Sequence, residues 1–134
     1  MGAEKGMTKM GIAVAIAVAG FLGAVSRYGL TLALPDGGGA SFPWATLAIN
    51  LGGSLLLGLL FGLASRKLVS AWWKEAAGTG FLGAFTTFSA FNAQLGELVR
   101  HHAYGSAAAY ALASGLFGWL LAAVGLSVGR GGRA

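Results

Sequence analysis

Asn50, Thr87, Ser89, Tyr110 and Ser114 are neutral hydrogen-bond donors set in otherwise apolar stretches, and Phe88 and Phe91 stand among them one helical turn apart. Amide and hydroxyl protons, like the positive rim of an aromatic ring, favour negative charge, so the set suits a small anion. No carboxylate lies deep within these stretches: Glu97 is near the end of one, while Glu4, Asp36 and Glu75 fall in tails or connections. Cation binding by acidic side chains is therefore disfavoured. The spacing is helical. Thr46, Asn50 and Ser54 recur every fourth residue and share one stripe, as do Tyr110 and Ser114. Asn50 has two readings, an interhelical hydrogen bond worth about 1 kcal/mol or an amide donor aimed into a pore.

The elements that must carry these groups are membrane helices. Of the 134 residues 56% are hydrophobic and 10% charged, and the mean hydropathy is +0.72, more apolar side chain than one small soluble core buries. Four apolar runs, about 10–34, 44–65, 72–99 and 103–129, reach the roughly 20 residues a bilayer demands. Pro35-Asp36-Gly37-Gly38-Gly39 signals a turn, and Pro43 sits where a new helix begins. Arg66-Lys67, Arg100-His101-His102 and Gly129-Arg130-Gly131-Gly132-Arg133 close the later runs. The expectation is one all-α membrane domain of four transmembrane helices.

Residues 78 to 91 depart from lipid-facing helix. They combine Gly78, Gly80 and Gly83 with Thr86, Thr87 and Ser89 and with Phe81, Phe85, Phe88 and Phe91. An unsatisfied backbone group in hydrocarbon costs several kcal/mol, so a helix break at that depth must line protein or water. A break in the third helix is predicted there, and such breaks form ion or substrate sites.

Much of the glycine count of 24 fits close helix packing, with Gly58/Gly62 and Gly125/Gly129 as GxxxG pairs. Cysteine is absent, which removes disulfides and thiolate metal sites. His101 and His102 are adjacent and point to different sides of a helix, which suits a solvated connection better than a metal site. Lys5, Lys9 and Ala17-Val18-Ala19 imitate a signal peptide, but the apolar run continues to Leu34, longer than a signal core. The first run is expected to be retained.

Three motifs then carry a resemblance. Gly23-Ala24-Val25-Ser26-Arg27-Tyr28, Thr46-Leu47-Ala48-Ile49-Asn50 and Gly83-Ala84-Phe85-Thr86-Thr87-Phe88-Ser89-Ala90-Phe91 resemble, in order and spacing, those of the Fluc (CrcB-type) fluoride channels, small four-helix bacterial membrane proteins. The resemblance covers nearly the whole chain. It implies an antiparallel, dual-topology dimer in the bacterial cell membrane, with separate fluoride pores at the subunit interface. Asn50 offers its amide to fluoride, Phe88 and Phe91 present ring edges, Tyr110 and Ser114 continue the polar track, and Thr87 and Ser89 add hydroxyls. Arg27 sits toward an aqueous vestibule. Backbone carbonyls of Gly83 and Thr86 from both subunits hold a central structural sodium ion. The activity implied is passive export of fluoride down its electrochemical gradient. Gln94 stands where the family often has a carboxylate, and Ala90 where threonine is usual, so the lining there is altered.

With four spans, Lys5, Lys9, Arg66, Lys67, Lys74, Arg130 and Arg133 share one side, against Arg27 and Arg100. The positive-inside rule then puts both termini in the cytoplasm. Oppositely inserted copies lead one to expect a weaker bias, so the favoured antiparallel homodimer stands beside a heterodimer with an oppositely oriented homologue. A small multidrug-type proton-coupled exporter needs a deep carboxylate in the first helix, where Arg27 is the only charge. A non-conducting assembly subunit would have no use for donor-lined helices. No nucleophile and base pair supports an enzyme, and no nucleotide loop appears; nucleic acid is not an expected partner.

Overall fold

The computed structural model describes residues 7–34 and 36–132. Pro35 of the turn signal, together with Glu4, Lys5 and Arg133, lies outside the described residues. Those described are helical and contain no strand. In chain order they form α1 (Lys9–Ala33), α2 (Trp44–Ser65), α3 (Ala71–Lys74), a π-helical segment (Glu75–Leu82), α4 (Gly83–Phe85), α5 (Phe88–Arg100) and α6 (Tyr104–Gly129). Helices α1, α2 and α6 are long and apolar enough to cross a membrane.

Each boundary has a local cause. Thr8 caps α1 by accepting from the Gly11 N–H at 3.1 Å. Pro43 leads into α2, where the Ala45 N–H is capped from a distance by Asp36 Oδ1 at 2.9 Å. After α2 and α5 the chain turns through Lys67 and His102, each left-handed at φ 58°.

The residues expected to form a third span are divided. The π-helical segment gives way to α4, the chain is extended at Thr86 (φ −78°, ψ 155°) and Thr87 (φ −145°, ψ 112°), and α5 follows. Thr87 caps α5 by accepting from the Ala90 N–H at 3.1 Å. Rebuilding a helix after two extended residues leaves carbonyls behind the break and amides ahead of it without intrahelical partners.

Two seams of small residues set the packing. Helix α2 lies chiefly on α6 and α1 on the π-helical segment. A Cβ built at Gly58 would overlap the carbonyl oxygen of Ala122, and one at Gly125 would overlap that of Leu55. On the other seam a Cβ at Gly23 would strike the Phe81 carbonyl, and one at Gly80 would stand 2.7 Å from the Ile16 carbonyl oxygen. These backbones touch, the mode of association that lipid favours. A small buried cluster of Leu47, Leu98, Ala107 and Tyr110 holds α2, α5 and α6 together. Phe21, Leu112 and Trp119 are 68%, 70% and 68% exposed, the outward apolar surface of a chain whose solvent is hydrocarbon.

Candidate functional site

The break faces α2, and Asn50 closes it. Its Nδ2 donates to the Thr87 carbonyl at 3.0 Å, while the Thr87 N–H donates to its Oδ1 at 2.8 Å. One primary amide thus replaces two hydrogen bonds that the interrupted helix cannot make. The pairing fixes which end of the amide is nitrogen and leaves the second N–H of Nδ2 available. These two bonds realise the interhelical reading of Asn50, whose side chain also borders a cleft.

Arg27 reaches the same break from α1, donating from Nε to the Ala84 carbonyl at 3.0 Å. It is partly buried against the backbone, and its guanidinium satisfies a carbonyl whose helical donor is lost at the interruption. Sequence spacing carries no sign of this contact, because the partner is a main-chain atom 57 residues away.

Beside Asn50 opens a cleft of about 430 Å³. Asn50, Ser54, Thr87, Phe88, Phe91 and Ser114 are among its walls, as are Gly83 and Thr86. No carboxylate lines it. The Phe88 and Phe91 rings stack with centroids 5.9 Å apart and planes inclined by 23°, and Phe88 is 74% exposed. Ser114 Oγ is buried with no hydrogen-bond partner among the described residues. A buried hydroxyl left without a partner is costly unless something else occupies its bonding direction.

Three expected site residues do not line this cleft. Ser89, exposed in the first turn of helix α5, has its Oγ 3.2 Å from Thr87 Oγ1. Arg27 is committed to Ala84. Tyr110 is fully buried behind Phe91, with ring centroids 5.0 Å apart, and its hydroxyl donates to Gln94 Oε1 at 2.9 Å.

Gly83 and Thr86 present the oxygens expected to hold sodium. The Thr87 N–H, which in a continuous helix would bond the Gly83 carbonyl, is taken by Asn50. Thr86 is extended, and its carbonyl accepts no hydrogen bond among the described residues. Gly83 keeps helical geometry as the first residue of α4, so the expected unwinding holds at Thr86 and not at Gly83; both carbonyls are neutral, hard oxygen donors whose chemistry fits an alkali cation. Gly53 keeps this turn against α2, since a Cβ there would overlap the Thr86 methyl.

The family model described as "CrcB-like protein, Camphor Resistance (CrcB)" matches residues 14–126. The chain belongs to the CrcB-like family. Among curated relatives of this CrcB-like chain, fluoride-specific ion channel FluC 1 of Symbiobacterium thermophilum is 47% identical over 121 residues, covering 88% of this chain and 97% of the relative. Fluoride-specific ion channel FluC 2 of Geobacillus kaustophilus is 42% identical over 110 residues, covering 81% and 84%. Fluoride-specific ion channel FluC of Magnetococcus marinus is 42% identical over 116 residues, covering 86% and 94%. The matched span of the CrcB-like chain takes in the Asn50–Thr87 clamp, both phenylalanines and Ser114.

Proposed function

We propose that this chain is a fluoride-selective passive channel that exports fluoride from the cytoplasm of a bacterial cell. The observation that carries the reading is the cleft beside the break, where the free N–H of Asn50, the partnerless Ser114 hydroxyl and the Phe88 and Phe91 rings meet without a carboxylate. The names of the relatives support it.

Fluoride is small and strongly hydrated, so a path for it must replace water with closely spaced donors. Hydrogen bonds to a charged group contribute about 1.5–3 kcal/mol each, and several in sequence can match the lost shell. A larger halide gains less from the same narrow donors. Departure must stay as easy as entry, which favours a file of modest sites over one deep trap. A negative cell interior supplies about 2.3 kcal/mol per charge per 100 mV, so fluoride leaves without ATP.

In this reading the α3–α5 run is a single broken span, giving four in all, and two copies insert in opposite directions with a pore for each at the interface. The favoured assembly is the homodimer, with an oppositely oriented homologue as the alternative partner. The exposed apolar faces of α1 and α6 are the surfaces on which lipid and the second copy compete. Gly83 and Thr86 carbonyls from both copies would hold the structural sodium, which when bound supplies a fixed positive charge between the two breaks. Asn50 and Arg27 hold the shape of those breaks by bonding their main-chain groups, Ser114 and Asn50 donate to fluoride, and the phenylalanine rims flank it.

A bacterial strain made hypersensitive to fluoride should regain growth on fluoride medium when it expresses this chain. The Phe88→Ile variant, at equal membrane abundance and still dimeric, should restore almost none, because an aliphatic side chain has no positive rim. Equal rescue by the variant would remove that ring from the mechanism, and absence of rescue by the parent chain would contradict the proposed function.

A further inference from the structure

A second groove, of about 260 Å³, opens between α2 and the π-helical segment. Leu56, Leu59, Leu60 and Leu63 face Ala77 and Phe81 across it, and every residue that lines it is apolar. The leucines recur at helical spacing, so at 1.5 Å per residue the groove follows α2 for about 10 Å. That is roughly two-thirds of the hydrocarbon depth of one leaflet.

Both walls change character where they leave the groove. One turn beyond Leu63 the α2 stripe reaches Arg66 and Lys67, and one turn before Ala77 the facing wall reaches Trp73 and Lys74. Helices α2 and α3 are in contact, so these residues share one end of the groove. Arg66 and Lys67 are exposed and form no ion pair among the described residues. Lys74 is partly balanced by Glu75 at 3.9 Å, whose other oxygen accepts from Thr79. Arg66 leans toward the end of α6, where a Cβ at Gly131 would stand 3.3 Å from its Nη1 and where Arg130 is exposed beside it. Trp73 is exposed and stacks on Trp72 with centroids 5.0 Å apart. Indole rings gather at the level of lipid headgroups.

We infer that this groove seats one anionic phospholipid, with an acyl chain against the leucines and its headgroup phosphate at Arg66 and Lys67. Only such a molecule matches both halves of the site. A soluble phosphate leaves the apolar walls bare, and a zwitterionic lipid brings an ammonium of its own toward the cations. An antiparallel second copy would present the opposite end of the bundle, but its Asp36 is held by the Ala45 N–H and Gln94, and its Glu97 by Arg100 and His101. No unpaired carboxylate is offered there. The seat needs only the membrane setting, whether or not the chain conducts fluoride.

Native mass spectrometry of the purified full chain, titrated with dioleoyl phosphatidylglycerol or dioleoyl phosphatidylcholine, reads lipid bound per chain. The parent should hold one phosphatidylglycerol at least about tenfold more tightly than phosphatidylcholine. Arg66→Gln/Lys67→Gln should weaken phosphatidylglycerol about twentyfold, since each cation near an anionic headgroup contributes about fivefold. Lys9→Gln removes a charge from the same end of the bundle but outside the groove, and should change binding less than about twofold. Ala77→Phe fills the groove and keeps every charge; it should weaken binding about tenfold, as the loss of about two buried methylenes predicts. Leu56→Asn, on the exposed lip of the groove, takes its place if that variant does not purify folded. Excess sn-glycerol 3-phosphate should leave the lipid bound. Equal retention of the two lipids, a loss in Lys9→Gln as large as in Arg66→Gln/Lys67→Gln, displacement by glycerol phosphate, or parental affinity in the groove variant would each overturn the inference. A groove variant that alters the assembly state while keeping its lipid would overturn it too, and would make the second copy the occupant.

Discussion

Asn50→Asp should reduce fluoride flux at least about a hundredfold, since two like charges near 4 Å repel by about 4 kcal/mol at an effective dielectric constant of 20. The substitution changes almost no volume, yet it strikes two functions of one amide. Oδ1 continues to accept from the Thr87 N–H, but the Thr87 carbonyl, held at 3.0 Å by Nδ2, now faces an oxygen that cannot donate. The lost bond loosens the break, and the new charge repels the ion from the cleft wall. Vesicle efflux with the variant, after gel filtration shows an intact dimer, measures the combined effect. Parental flux would remove Asn50 from the conduction path.

Gly125→Val should abolish the packed bundle. A Cβ at this position overlaps the Leu55 carbonyl oxygen and stands 2.8 Å from the Leu59 N, and both are main-chain atoms of α2 that cannot rotate away. Overpacking of a close-packed site costs about 1–3 kcal/mol and sometimes more. Valine against rigid backbone belongs at the upper end, so most of the protein should aggregate on detergent extraction. Gly96→Ala is the matched control, because a Cβ there meets nothing within 4 Å; it should be neutral or more stable by about 0.5–1 kcal/mol. Equal behaviour of the two variants in thermal melts would show that the α2–α6 seam is not set by backbone contact.

What could be read in the sequence was whatever depends on local spacing. The apolar runs ending at Arg66-Lys67 and before Arg130 place α2 and α6 within a residue or two of their observed ends, because hydrocarbon length and flanking charge are one-dimensional constraints. Asn50 and Ser114, which border one cleft, stood out for a related reason: a neutral donor in an apolar helix needs a partner wherever it faces.

The remainder depends on contacts between distant parts of the chain. Arg27 was expected at a vestibule, and its partner is the Ala84 carbonyl, a group common to every residue and therefore silent in a sequence. Tyr110 and Ser114 share a stripe by spacing, yet the phenol extends to Gln94 while the serine stays at the cleft. Side-chain length and rotamer, not helical period, separate them. Asp36 looked like a turn residue, and its carboxylate instead organises Ala45, Gln94 and, through Gln94, Tyr110. The π-helical segment had no compositional mark beyond its glycines.

Purified chain in liposomes, loaded with equal fluoride and chloride and released under one imposed potential, gives the most direct measurement. If neutral donors and ring rims form a dry, narrow path, a fluoride electrode should record rapid efflux while a chloride electrode in the same vesicles records almost none. Folded, dimeric protein that leaves both gradients standing, or discharges both alike, would contradict the account.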